Sequence, residues 1–264
     1  MRTTHIRWQS SLLFVLVLWT ALPISVLVIS SVGSVWFYPH LVPTSWSTAA
    51  WSELVNDRRL FRSLLTSLWL ASLTGGSASI VGFEIGRRVA RIPAPLRYFA
   101  LAAAFLPVAV PPLALGIGLQ YFVLRAGLGG TLTGVWLAHS VVAIGYTTLY
   151  FVGVFAVFDR RVEEEARSLG ASPLATLARV TLPLHRRQLA EALMLGFLVS
   201  WAQVPLTLLI GQGAVESLAT AVMSYVHAGQ DHLASVAGLL LALPGLVLMG
   251  VVGSSIRRFA VATV

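Results

Sequence analysis

Residues 163–183 read EEEARSLGASPLATLARVTLP, three glutamates and two arginines in a chain where only 11% of residues are charged. Glu163, Glu164 and Glu165 fall where the positive end of a helix favours carboxylates, and Arg167 falls near the negative end. Asp159 can cap the start, and Gly170 can supply the left-handed residue that ends the helix. This predicts a helix of two to three turns. Val162, Ala166 and Leu169, at i, i+4 and i+7, make a narrow apolar stripe, and Glu163 and Arg167 are spaced to pair across one turn. Ser172 before Pro173 starts a second helix in a new direction, which Pro183 interrupts. A short amphipathic helix of this kind is either a connector lying on a surface or a knob for a partner's groove, and physical chemistry alone weighs the two equally.

The surroundings of this segment decide the fold class. Of the 264 residues 57% are hydrophobic and the mean hydropathy is +0.83, against about 45 to 50% apolar residues in soluble domains. Such a chain lacks the polar surface to cover a globule in water, so lipid is its expected solvent. A helix needs about 20 apolar residues to cross the hydrocarbon layer. Six stretches without Asp, Glu or Arg meet that length: 12–32, 63–83, 98–124, 132–158, 192–215 and 233–256. The expectation is an all-α, polytopic membrane helix bundle of about six transmembrane helices. The first stretch follows the basic MRTTHIR, but exceeds the usual signal-peptide core, so it reads as a retained anchor.

Orientation follows from the arginines, the only fixed side-chain cations because lysine is absent. With the N-terminus inside, Arg2, Arg7, Arg87, Arg88, Arg91, Arg97, Arg160, Arg161, Arg167, Arg179, Arg186, Arg187, Arg257 and Arg258 lie on the inner side. Only Arg58, Arg59, Arg62 and Arg125 lie outside. This bias places both termini and the segment 159–190 in the cytoplasm. Trp36, Phe37, Tyr38, Trp46 and Trp51 of the first outer loop suit the headgroup layer.

The charge of +8 is spread in short groups between apolar runs rather than gathered on a soluble patch, which argues against nucleic acid. Cysteine is absent, which excludes disulfides and thiolate metal sites, and the six histidines show no ligand spacing. His139, inside the fourth stretch, reads as a buried hydrogen-bonding residue, and Glu84 as a partner for Arg87 or Arg88. Pro107, Pro111 and Pro112 predict a kinked third span. In the fifth, Ser200, Gln203 and Thr207 share one helix face at i, i+3 and i+7, and Pro205 can open the helix locally. These polar groups either line a wet path or hydrogen-bond between helices.

The 163–183 segment resembles the EAA loop of permease subunits in binding-protein-dependent ABC importers: Glu-Ala-Ala, three residues, Gly, nine residues, a branched aliphatic, any residue, Leu-Pro. Here Glu164, Glu165 and Ala166 precede Gly170, and Val180, Thr181, Leu182 and Pro183 close the pattern, with Glu165 in place of the middle alanine. The resemblance extends over about 60–256, through SLLTSLWLASLTGGSASIVGFEIGRRVAR, FLPVAVPPLALGIGL and GFLVSWAQVPLTLLIG, and makes 1–264 a single transmembrane domain with its coupling loop at 159–190. ESLATAVMSYVHAGQDHLASVAGLLLALPGLV is similar to the branch serving iron, thiamine and polyamines. Where relatives often read Ser, any residue, Gly-Glu-Phe-Pro, any residue, Thr, this chain has Ala202 and Gln203 for Gly-Glu.

The resemblance implies a non-enzymatic permease of the bacterial inner membrane that forms the translocation path. It implies partners: cytoplasmic ABC ATPase subunits, a second copy or a paralogous permease, and a periplasmic or extracellular substrate-binding protein. ATP sits on the ATPase, and the chain, lacking a Walker A sequence, carries no cofactor of its own. Val162, Glu164, Glu165, Ala166, Leu169, Gly170 and Pro183 are then the coupling residues, and Ser200, Gln203 and Thr207 the pathway residues. The alternative, an ion-gradient-driven secondary transporter or channel subunit, commonly carries charge at membrane depth, which no span centre has here.

Overall fold

Proline decides which apolar stretches become single helices. The computed structural model describes residues 2–36 and 39–262, with side chains over 15–36 and 39–250 apart from residue 20. Phe37 and Tyr38, and the side chains of Arg2, Arg7, Arg257 and Arg258, lie outside the described set. Helices α1 (Arg2–Val32), α3 (Arg58–Val89), α6 (Leu132–Ala156) and α13 (Asp231–Ala262) each carry one apolar stretch long enough to cross a membrane. The third and fifth stretches are broken. Helices α4 (Ala94–Ala109) and α5 (Pro112–Arg125) meet at 101°, and α10 (Arg186–Trp201) and α11 (Pro205–Gly211) at 63°. Counting each bent pair as one crossing gives six.

The expected kink at Pro107, Pro111 and Pro112 is therefore a full break, and Pro107 lies inside α4. A residue before proline is pushed out of the helical region. Val110 has ψ 133° and Pro111 ψ 132°, so two successive extended residues turn the chain before Pro112 opens α5. At the second break Pro205 stands at the first helical position of α11, and residues 202–204 lie outside the helices. Ser200, Gln203 and Thr207 thus sit on either side of and within a linker, not along one continuous helix face.

Two compact units share the chain. One comprises residues 1–64 and 218–264: α1, the strands β1 (Gly33–Val35) and β2 (Ser45–Trp46), α2 (Ala49–Asn56), the start of α3 up to residue 64, α12 (Leu218–His227) and α13. Here α13 packs on α1, α2 and α12. Asp57, between α2 and α3, accepts hydrogen bonds from the Arg59 and Leu60 amides at 2.7 and 3.3 Å and from the Tyr225 hydroxyl at 2.5 Å. Its carboxylate thereby caps α3 and ties it to α12.

The other unit, residues 65–217, is built around α6. Val135, Ala138, His139, Ala143, Thr147, Thr148 and Phe151 are buried on it, at helical spacing, while Leu137, Val141 and Tyr146 on the other side are exposed. Small residues let neighbours approach closely. A methyl group on Gly82 would meet Thr147, one on Gly86 would meet Phe151, and one on Gly75 would meet the backbone of α10 at Leu193 and Phe197. Cross-helix hydrogen bonds run from Thr147 Oγ1 to Ala78 O (2.7 Å), Ser79 Oγ to Leu189 O (3.1 Å) and Gln120 Nε2 to Leu209 O (3.0 Å). Large apolar side chains such as Phe99, Phe122 and Trp69 are exposed, as lipid-facing residues are.

Candidate functional site

Segment 159–190 folds as its punctuation predicts at each end of the first helix. In α7 (Arg161–Ser168), Asp159 Oδ1 accepts the Arg161 amide at 3.0 Å, and Glu163 and Glu164 occupy the first turn. Gly170 has φ +90°, and the Ala171 and Gly170 amides bond back to Ala166 O (3.1 Å) and Arg167 O (2.9 Å). That pair of bonds is the Schellman closure a left-handed glycine permits. Ser172 Oγ then accepts the Ala175 amide at 3.2 Å and Pro173 opens α8 (Pro173–Thr176).

Beyond α8 the structure departs from the expected break at Pro183. The helix widens into a π turn, Leu177–Thr181, closed by the Leu182 amide on Leu177 O, and continues through α9 (Leu182–Leu184). Pro183 has no N–H to return to the carbonyl four residues back, so an extra residue is accommodated upstream of it. The chain turns only at His185, which packs among Phe83, Phe155 and Phe158 and donates from Nδ1 to Thr181 O at 2.8 Å.

Sequence spacing pairs Glu163 with Arg167; the structure pairs it elsewhere. Glu163 is only 4% exposed, with Oε2 at 2.6 Å from Arg91 Nη2 and Oε1 accepting the Thr181 hydroxyl at 2.9 Å. Burial would raise the Glu163 carboxyl, but the Thr181 and Arg91 hydrogen bonds and the Arg91 charge outweigh it and hold it below the usual carboxylate range. Arg160 adds a bond to Ala90 O at 3.3 Å. None of Glu163, Arg91 and Thr181 stood among the sequence candidates. The signal that could have found them is Arg91's place in the turn immediately after α3 and the fixed offset of Thr181 within Val-Thr-Leu-Pro.

With Glu163 turned inward, the opposite side of α7 is open. Arg161, Glu164, Glu165, Ser168 and Leu169 line a shallow recess of about 520 Å³. Leu169 is 90% exposed and Val162 sits at the margin of exposure, whereas Ala166 is half-buried, so the apolar stripe is open mainly at its C-terminal end. Glu165 points to the open side. Pro183 is exposed in α9.

Within the spans, Ser200, Gln203 and Thr207 are all buried, and His139 of α6 joins two of them. His139 Nδ1 lies 2.8 Å from Ser200 Oγ and Nε2 lies 3.0 Å from Thr207 Oγ1. The Thr207 hydroxyl donates its one proton to Gln203 O at 2.9 Å, so it accepts from His139 Nε2–H, and Nδ1 accepts from Ser200. One neutral imidazole thus holds both sides of the α10–α11 break against α6. Glu84 meets Arg87 and Arg88 at 2.9 and 2.6 Å, as its spacing predicts.

Residues 78–261 match the family described as binding-protein-dependent transport system inner membrane component. The putrescine transport system permease protein PotI of Escherichia coli K12 is 26% identical over 213 residues, 76% of this chain and 75% of that protein. A probable molybdenum ABC transporter permease protein of Haloferax volcanii is 28% identical over 237 residues, 87% of this chain and 82% of that one. The fold is similar to that of a bacterial ABC transporter involved in import of the acidic polysaccharide alginate, with TM-score 0.68 and 13% identity over 98% of this chain and 99% of the other. A second structure, of a bacterial alginate transporter in complex with an alginate pentasaccharide-bound periplasmic protein, gives TM-score 0.67 at 13% identity over 98% of both.

Proposed function

The chain belongs to the family of binding-protein-dependent transport system inner membrane components, and on that premise we propose that it is the permease subunit of an ABC importer whose α7 docks into a separate cytoplasmic ATPase. The observation that carries the docking is Leu169, 90% exposed at the end of a helix that is otherwise anchored. A leucine held in water beside an open recess gains about 1.5 to 3 kcal/mol when a partner covers it. Glu164 and Glu165 offer carboxylates to a basic rim, Val162 and Ala166 extend the apolar contact, Gly170 sets the bend, and Pro183 shapes the helix that returns to the membrane.

In this reading ATP is held and hydrolysed by the partner, and closure of two ATPase subunits moves α7. A ligand shifts a conformational equilibrium only through different contacts in the two states, so the docked helix needs a stiff connection to the spans. A second permease, the same chain or a paralogue, completes the path, and a periplasmic or extracellular binding protein delivers the solute; a transporter of similar fold has been seen with its periplasmic protein bound. Both termini and segment 159–190 lie in the cytoplasm of a cell whose inner membrane holds the chain. The path runs past the α10–α11 break, where Gln203 sits in the non-helical linker between Ser200 and Thr207. Relatives are named for putrescine and for molybdenum.

The test replaces Gly170 by leucine. A methyl group there meets no neighbour within 4 Å, but φ +90° is a conformation L-residues avoid, so the bend itself is what the change disturbs. ATPase co-purification and uptake of the solute carried by the binding protein are both expected to fall. If both stay normal in correctly inserted protein, the docking assignment is wrong.

A further inference from the structure

Resting on the docking reading, we propose that Arg91 and Thr181 are positioning residues that lock Glu163 into a joint, passing the movement of α7 to the membrane helices at two places at once. The two oxygens of one carboxylate serve two elements. Oε2 meets Arg91, two residues past the end of α3, and Oε1 meets Thr181, at the end of the π turn that continues into α9, ahead of α10. The helix that receives the ATPase is thereby fastened by a single side chain both to the turn that ends α3 and to the helical segment that precedes α10.

Among the described residues the joint differs from the other ion pairs in what it connects. Glu84 with Arg87 and Arg88, and Glu191 with Arg187, join residues of one helix, and their carboxylates are 34% and 47% exposed. Pairs within one helix connect no second element, and exposed ones are screened by water and salt. Arg91–Glu163 joins residues far apart in sequence, and the Glu163 side chain is 5% exposed. Breaking it strands a buried charge, so the contact resists sliding.

The π turn adds a reason for the wide spacing between the glutamate-alanine and Leu-Pro parts of the segment. One extra residue in a helical turn rotates everything after it, and the extra residue here lies just upstream of Pro183. Thr181 is fully buried, with its hydroxyl on the Glu163 carboxylate. Pro183, two residues on in α9, is exposed.

The experiment uses the whole complex, purified with its ATPase and challenged with its binding protein in the form isolated from cells. Three quantities are read: ATPase co-purification, basal hydrolysis, and the stimulation of hydrolysis by the binding protein. Glu163→Gln and Arg91→Gln leave the open face of α7 intact, so co-purification and basal hydrolysis stay within about twofold of wild type, while stimulation falls at least tenfold. Thr181→Val, which keeps the shape and removes the hydroxyl, lowers stimulation severalfold, and Thr181→Ser restores it. The exchange Arg91→Glu with Glu163→Arg recovers part of the response that each single change loses. Undiminished stimulation in the single variants overturns the joint. So does loss of co-purification in parallel with stimulation, because these residues would then only keep the loop folded. Wild-type protein that binds no ATPase refutes the docking reading itself, a distinguishable failure.

Discussion

Replacing Gly82 by alanine tests the close packing that holds the end of α3, and with it Arg91, in place. The added methyl carbon would stand 2.2 Å from Thr147 Oγ1, 2.7 Å from its Cβ and 2.9 Å from its carbonyl carbon. Carbon atoms in contact sit about 3.5 to 4.0 Å apart. The hydroxyl could rotate away, but Cβ and the backbone could not, so α3 and α6 must separate by about 1 Å. Overpacking of this kind costs about 1 to 3 kcal/mol. Stretching the Thr147 Oγ1 to Ala78 O bond, 2.7 Å long, adds roughly 0.6 kcal/mol. Alanine's better helix propensity offsets about 0.5 to 1 kcal/mol. The net loss is about 2 kcal/mol, which at roughly 2 to 4 °C per kcal/mol lowers the midpoint of thermal unfolding by about 4 to 8 °C. The control is Gly76→Ala on the same helix, where a methyl group meets nothing within 4 Å. Thermal unfolding of the purified protein in detergent should show a lowered midpoint for Gly82→Ala and an unchanged or slightly raised one for Gly76→Ala. Equal shifts in the two variants would refute the contact.

Two further expectations concern the other polar clusters. Gln203→Leu should reduce uptake severalfold with ATPase co-purification unchanged, because the linker side chain is assigned to the path and not to docking; undiminished uptake would leave it a packing residue. Asp57→Asn should flatten the acid limb of stability. The Tyr225 hydrogen bond, helped by the Arg59 and Leu60 amides and the Arg59 charge, prevails over burial and holds the Asp57 carboxyl below its ordinary value of 3.8. A depressed carboxyl stabilises the fold above the unfolded pKa, and that contribution is lost as pH falls through the folded value. Unfolding midpoints of wild type and Asp57→Asn measured between about pH 3 and pH 6 should therefore converge towards acid, and parallel curves would contradict the assignment.

The parts of the fold set by local chemistry were readable. Long apolar runs, a glycine that can take positive φ, and a serine before proline each specify a conformation within a few residues, and α1, α6, α7 and α13 follow from them. What sequence rules misjudged was set by tertiary packing. Prolines predict a kink in the third span, but the full break and its angle of 101° depend on what the pieces pack against, including the place where Gly116 lies under Leu209.

Glu163 shows why a local rule can choose the wrong partner. An exposed pair with Arg167 four residues on would contribute about 0.3 to 0.5 kcal/mol. Once the loop folds back on the end of α3, the same carboxylate can instead leave water, meet Arg91, and fill its second oxygen with Thr181. Removal from water makes each of those bonds stronger and also makes its absence costly. The run of glutamates is thus divided by environment along one helix turn. Glu163 faces inward and is fixed, while Glu164 and Glu165 face outward and are open. On the proposed docking, the outward pair is free to meet the ATPase while Glu163 fastens the helix to the rest of the chain, which gives three consecutive glutamates a role where local helix capping requires only one.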